Sequence, residues 1–292
     1  MKTFPYKNVT YFNIHTFIAQ FRPGADTSTS AKRAAELQKI DWDELEFDDI
    51  IIDEAQDFLN EEVVYFKDFM ELKAGHFFAF YDKNQILTTR EVPKWIRNSE
   101  CKLLLTKNCR NTYEIALTSY NVIDIALDKK VMMINGDRTS VSFVKGSVIS
   151  AMIQLLNIMT GDQQGYEYSD IVILSLKSEH HSVMKDINKI SGIPITREKT
   201  NSSVMFTTAS KFKGLESRVV IIVDIDEDAF IDEERKRLFY VACSRATQKL
   251  VLIVDGDDSK IKSIADAISN KGHFAPKGRV AMKTQAEILN LE

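Results

Sequence analysis

Between Asp49 and Phe58 a short apolar run, Ile50-Ile51-Ile52, breaks at once into Asp53-Glu54-Ala55-Gln56-Asp57. Three consecutive β-branched residues suit a buried strand, and open α/β sheets present their chemistry at the carboxyl ends of strands. Adjacent carboxylates at such an end suit a hydrated Mg²⁺ and a water awaiting activation. An ordinary strand followed by an acidic helix start, favoured by the helix dipole, gives the same pattern. The stretch alone therefore leaves both readings open.

Four further segments follow in order: Phe78-Ala-Phe-Tyr-Asp82-Lys-Asn-Gln85, Leu105-Thr-Lys-Asn108-Cys-Arg110-Asn111, Thr208-Ala-Ser210-Lys211-Phe-Lys213-Gly214-Leu215-Glu216, and Phe239-Tyr240-Val241-Ala242-Cys243-Ser244-Arg245-Ala246. Upstream stands Asn13-Ile-His15-Thr16-Phe17. Together with Asp53-Glu54-Ala55-Gln56 these resemble, in order and spacing, the motifs of UvrD/Rep-like superfamily 1 DNA helicases, over roughly residues 11–255. The resemblance implies an α/β chain with two RecA-like parallel-sheet domains, the first incomplete at its N-terminus. It also implies ATP and Mg²⁺ as cofactors and single-stranded DNA, or RNA, as partner.

Carried over residue by residue, the resemblance implies that Asp53 holds Mg²⁺ and Glu54 orients and deprotonates the attacking water. Gln85 senses the γ-phosphate, and Asp82, Gly214 and Glu216 belong to the nucleotide site. Arg110 and Arg245 act as arginine fingers that neutralise charge on the transferred phosphoryl group. His15, Thr16, Thr208 and Ser210 fall in segments that touch the nucleic-acid backbone. The chain departs from the pattern at Tyr81, where the family has glycine, at Cys109, where it has tyrosine, and at Ser210, where it has histidine.

None of the 11 glycines stands in a Gly-x-x-x-x-Gly-Lys-Ser/Thr phosphate loop. That loop would supply the main backbone N–H and lysine contacts to phosphate. The chain is therefore expected to lack the family's upstream phosphate-loop segment, as a fragment, a split-gene product or a degenerate homologue. The missing segment would lie on the same polypeptide or on a partner, and the chain alone would be inert. Without it, the first sheet would present an unsatisfied edge beside Ile50–Asp53. The short spacings, with only residues 18–48 between the histidine segment and the acidic strand end, describe a compact core, for which a nucleic-acid-stimulated ATPase or short-range translocase is expected. A non-catalytic nucleic-acid- or protein-binding module is the alternative, and an intact ATPase with an unrecognised phosphate loop a third.

At 292 residues and 44% hydrophobic content, two modest cores are expected. The net charge of −4 excludes a strongly basic coat and allows a local basic groove. No apolar run reaches membrane-spanning length and the start lacks an apolar leader, so a cytoplasmic protein without membrane contact is expected. Cys101, Cys109 and Cys243 follow neither a zinc spacing nor a disulfide framework, and read as reduced core or near-core thiols. The His180-His181 pair reads as a solvated helix face, and Trp42 and Trp95 as packing residues. Expected strands are 9–12, 49–52, 77–81, 102–105, 141–144, 171–175, 204–207, 219–224 and 250–254. Expected helices are 31–40, 61–72, 112–127, 147–159, 179–191 and 232–245, with a helix or turn at 16–21. The β-α alternation gives domains at 1–108 and 109–258, followed by a C-terminal helix and polar tail at 259–292.

Overall fold

A computed structural model describes residues 8–82, 94–99, 101–103, 109–123, 134–144, 146–161 and 165–269. The chain divides into two compact units, Met1–Leu103 and Leu104–Glu292.

In the first unit, helices α1 (Ile14–Phe21) and α2 (Ser30–Leu37) precede a β-α-β unit of β1 (Asp49–Ile52), α3 (Asn60–Lys73) and β2 (His76–Ala79), with α4 (Lys94–Arg97) beyond. The strands pair in parallel, Ile50 opposite Phe77 and Ile52 opposite Ala79. The α3–β2 turn requires Gly75: a Cβ there would lie 2.1 Å from the Asp48 carbonyl oxygen. An aromatic cluster fills the core, with Phe17 packed at 5.2 Å from Phe66 and 5.6 Å from Phe12 (ring centroids). Trp42 packs edge-on against Tyr65 and Phe69, and Trp95 against Tyr81, as packing residues do. Burial pushes the Tyr65 phenol up to about 12. It stays neutral and donates to the Ile40 carbonyl at 3.2 Å. The expected strand at 9–12 is absent; that segment is irregular, and Phe12 instead joins the aromatic cluster.

The second unit is built on a seven-stranded sheet in the order β3-β9-β8-β4-β7-β6-β5. Its strands are β3 (Ser140–Val144), β4 (Ile171–Ser175), β5 (Lys189–Ile190), β6 (Ile193–Thr196), β7 (Val204–Thr208), β8 (Ser217–Val223) and β9 (Ala246–Asp255). All neighbours pair in parallel except the β5–β6 hairpin. Helices α5 (Tyr113–Val122), α6 (Val148–Thr160), α7 (Asp228–Ile231), α8 (Glu233–Cys243) and α9 (Asp258–Ser269) complete it. Side chains alternate between faces along a strand, so the unbroken apolar runs of β4, β8 and β9 feed two cores. Val172, Leu174, Val220, Ile222, Leu250 and Leu252 pack with α5 and α8 on one side. Ile171, Ile173, Val219, Ile221, Val251 and Ile253 pack with α6 on the other. The mixed α/β class with a mostly parallel sheet is thus observed.

The helix expected at 179–191 is not formed. Glu179–His181 makes one 3₁₀ turn, and the chain then runs through turns into β5. Arg197 accounts for the difference: its guanidinium donates to the carbonyls of Met184, Lys185 and Ile187, acceptors that a helix would have used internally. Ser191 and Gly192, at φ 48° and 90°, then close the tight turn into β6. Residues 102 and 103 of the strand expected at 102–105 form no element, and positions 104 and 105 lie outside the described residues. The expected helix from Thr112 is seen as α5 up to Val122, and its end at 124–127 also lies outside them.

Two of the three thiols are exposed, Cys101 and Cys109, which corrects the core or near-core reading; only Cys243 is buried. Burial pushes the Cys243 thiol far above its ordinary range. Two cysteines should therefore react rapidly with a thiol reagent in the native chain and the third only on denaturation. Rapid labelling of all three would contradict the packing of α8. Among the described residues, no helix is long and apolar enough to cross a membrane.

Candidate active site

The acidic strand end is a tight corner. Beyond the last pair of the β1–β2 ladder, the Phe80 N–H donates to the Ile52 carbonyl and the Ala55 N–H to the Phe80 carbonyl, both at 2.8 Å. The chain turns through Glu54, a non-glycine residue in the left-handed region at φ 52° and ψ 42°. Such a conformation costs about 1–3 kcal/mol and persists only where the surroundings enforce it. The Glu54 N–H donates to Oδ1 of the exposed Asp53 carboxylate at 2.9 Å. Gln56, 7% exposed, donates its Nε2 to Glu54 Oε2 and accepts the Asp82 N–H on Oε1 at 3.1 Å. Gln56 thus bonds both the Glu54 carboxylate and the main chain of Asp82. Gln85 lies outside the described residues.

His15 and Thr16 sit at the start of α1. Thr16 is engaged in capping it: its N–H donates to Asn13 Oδ1 at 2.8 Å, its hydroxyl donates to the Asn13 carbonyl at 2.9 Å, and it accepts the Asn13 N–H at 3.2 Å. His15 Nδ1 lies 2.8 Å from the Thr27 hydroxyl on an exposed surface.

In the second unit Thr208 ends β7, and the loop that follows to β8 carries Ser210, Gly214 and Glu216. Thr208 accepts the Lys211 N–H at 3.3 Å, and Gly214 turns the chain at φ 80°, where an L side chain is strained. Ser210 is exposed. Glu216 forms an ion pair with Arg110 at 3.0 Å, with 58% and 44% of the side chains exposed. Asn111 is buried, and its Nδ2 donates to the carbonyls of Ser244 at 2.9 Å and Ala246 at 2.6 Å. Arg245 has no exposed surface; it donates to the carbonyls of Val241 at 3.1 Å and Leu215 at 3.4 Å and to the Ser244 hydroxyl at 3.0 Å. Three segments far apart in sequence, around Arg110, Glu216 and Arg245, thus meet. Asn111→Ala should cost about 1–3 kcal/mol of second-unit stability in denaturant unfolding, because two buried carbonyls lose their donor. A loss below about 0.5 kcal/mol would mean water replaces the amide.

Two features at the carboxyl ends of β4 and β8 carry no expected role. Asp224, at φ 62°, accepts from the hydroxyls of Ser175 and Ser182, both at 2.6 Å, and from the Val183 N–H at 3.1 Å, fastening the chain after β4. Glu179 pairs with Arg197 at 2.6 Å and Lys211 at 3.4 Å. The Arg197 guanidinium, then Lys211, hold its carboxyl below the usual range. An acidic residue ending an apolar run was the available signal for Asp224; nothing local marks Glu179. The described residues contain no group of three or more metal-ligating side chains, His180 and His181 included.

A family model described as the UvrD-like helicase C-terminal domain matches residues 203–253, from β7 through α8 into β9. This bears out the resemblance read from Thr208–Glu216 and Phe239–Ala246. Among solved structures, the chain is similar to the C-terminal domain of a possible DNA helicase from Lactobacillus plantarum WCFS1, at 20% identity and a TM-score of 0.39, over 51% of this chain and 88% of that one. It is also similar to an arterivirus nonstructural protein 10 (helicase), at 16% identity and a TM-score of 0.36, over 73% of this chain and 40% of that one. No curated protein matches.

Proposed function

We propose, proceeding from the UvrD-like helicase C-terminal domain that residues 203–253 match, that this chain is the C-terminal part of an ATP-dependent DNA helicase or translocase built on RecA-like domains. The observation that carries the reading is the meeting of the Arg110, Glu216 and Arg245 segments, joined by the Arg110–Glu216 pair and the two hydrogen bonds from Asn111. A binding surface needs no such convergence of arginines on a glycine turn.

In this reading the exposed Asp53 carboxylate would hold a hydrated Mg²⁺. One carboxylate would suit the ion, because Mg²⁺ sites commonly use one or two carboxylates together with water and phosphate oxygens. When bound, the ion neutralises charge on the phosphate oxygens. Glu54 orients and deprotonates the attacking water, Gln85 senses the γ-phosphate, and Asp82, Gly214 and Glu216 line the nucleotide. Arg110 and Arg245 supply positive charge to the transferred group. Arg110 gives up its bond to Glu216 to do so, and Arg245 its bonds to main-chain carbonyls, which couples hydrolysis to movement. Thr208, Ser210, His15 and Thr16 contact the backbone of single-stranded DNA or RNA.

The phosphate loop, missing from the 292 residues, comes in this reading from another stretch of polypeptide, in cis or in trans. One face of the β1–β2 pair supports this: Ile51, Phe78 and Phe80 are 66%, 51% and 53% exposed. Parallel sheets are ordinarily covered on both faces.

The test is steady-state ATP hydrolysis with single-stranded DNA by the chain alone and mixed with its native upstream segment. Turnover confined to the mixture supports the reading. Turnover by the chain alone overturns the externally supplied loop. No turnover in any mixture favours the second reading, a non-catalytic module, to which the fully buried Arg245 would be a structural residue.

A further inference from the structure

We infer that Gln56 is a positioning residue that ties the Glu54 carboxylate to the main chain at Asp82, in the segment that follows β2, so that the two move as one. The inference rests on the reading of Glu54 as the residue that orients water. Gln56 is 7% exposed and uses both ends of its amide: Nε2 donates to Glu54 Oε2, and Oε1 accepts the Asp82 N–H at 3.1 Å. A carboxylate only accepts and a backbone N–H only donates, so a primary amide is the group that joins them. Glu lacks the donor, and Leu lacks both partners.

The tie is placed where it matters. Glu54 sits in the strained left-handed region, two residues beyond the end of β1. Its main chain is fixed by the Asp53 carboxylate and by the Ala55 N–H to Phe80 carbonyl bond at 2.8 Å. Those contacts fix where the residue starts and leave the carboxylate to be aimed. Gln56 aims it, and because the same amide holds Asp82, a displacement of the Asp82 segment is passed to Glu54 through one side chain. The inference adds to the proposed reaction a link between the water-orienting group and the segment leading to Gln85.

Two variants separate the ends of the amide. Gln56→Glu keeps an acceptor for the Asp82 N–H and replaces the donor with a like charge; Gln56→Leu removes both. In the 292-residue chain, which needs no turnover for this measurement, Asp82 amide exchange followed by NMR should accelerate about tenfold or more in Gln56→Leu and stay near wild type in Gln56→Glu. In an assembly that hydrolyses ATP, Gln56→Glu should lower kcat about tenfold or more with the KM for ATP within about twofold, since ground-state binding is untouched. An Asp82 amide indifferent to Gln56→Leu, or a kcat unchanged in Gln56→Glu, overturns the inference. Wild-type inactivity in every mixture fells the hydrolysis reading instead, and the exchange measurement then decides alone whether Gln56 ties the two segments.

Discussion

Glu54→Gln lowers DNA-stimulated ATP turnover about 10²–10⁴-fold in any assembly that supports it, with the KM for ATP within about threefold. The substitution keeps the size and the hydrogen-bonding outline of the side chain, and the Gln56 amide retains an oxygen to which it can donate. What is lost is the ability to take a proton from water. The left-handed backbone at this position persists, because it is enforced by the Asp53 carboxylate and by the Ala55–Phe80 bond. The variant is therefore a folded protein with a specific defect, and its amide spectrum should match wild type outside the corner. Turnover within about threefold of wild type would remove Glu54 from the reaction.

Glu62→Ala costs the first unit about 3–5 kcal/mol, which is comparable with the whole stability of a small domain. The Glu62 side chain has no exposed surface and Arg33 only 12%. The pair is bidentate, Nε to Oε1 at 2.6 Å and Nη2 to Oε2 at 2.9 Å, and Oε2 also accepts the Leu59 N–H at 2.8 Å where α3 begins. Truncating the acid strands a buried guanidinium and a helix-terminal donor together. Both tryptophans, Trp42 and Trp95, belong to this unit, so their fluorescence during urea unfolding reads it without interference from the other. Replacing both partners, Arg33→Leu with Glu62→Leu, should recover most of the loss, since no charge is left unpaired. A single-variant cost below about 1 kcal/mol would show that water reaches the pair.

The strands were legible wherever an apolar run had only one use. Ile171–Ser175 and Val219–Val223 are buried on both faces, and the residues alone indicate it because no polar residue interrupts them. The segment 179–191 misled for the converse reason: its pattern suits a helix, but Arg197, well downstream, takes the carbonyls the helix would need. Thr16 was legible as part of a segment and not as a cap, because capping depends on which of its atoms faces Asn13. Gln56 stood inside the quoted acidic segment without a role. Its meaning lies in the Asp82 N–H, which the β1–β2 pairing brings beside it.

The order of local signals along the chain, namely the acidic strand end, the Gly214 turn and the Arg245 helix end, was determined by the sequence itself, since each is written in neighbouring residues. The match at residues 203–253 falls where those signals are densest. Only the tertiary structure decided which of them meet. Asn111 reaches the carbonyls of Ser244 and Ala246, 133 and 135 residues away, because the sheet order sets β9 beside β8 and packs α5 against them. It likewise decided that Arg245 is turned inward on carbonyls and that Arg110 rests on Glu216. Such partnerships between distant residues follow from strand pairing and burial, and a linear pattern of residue types does not encode them.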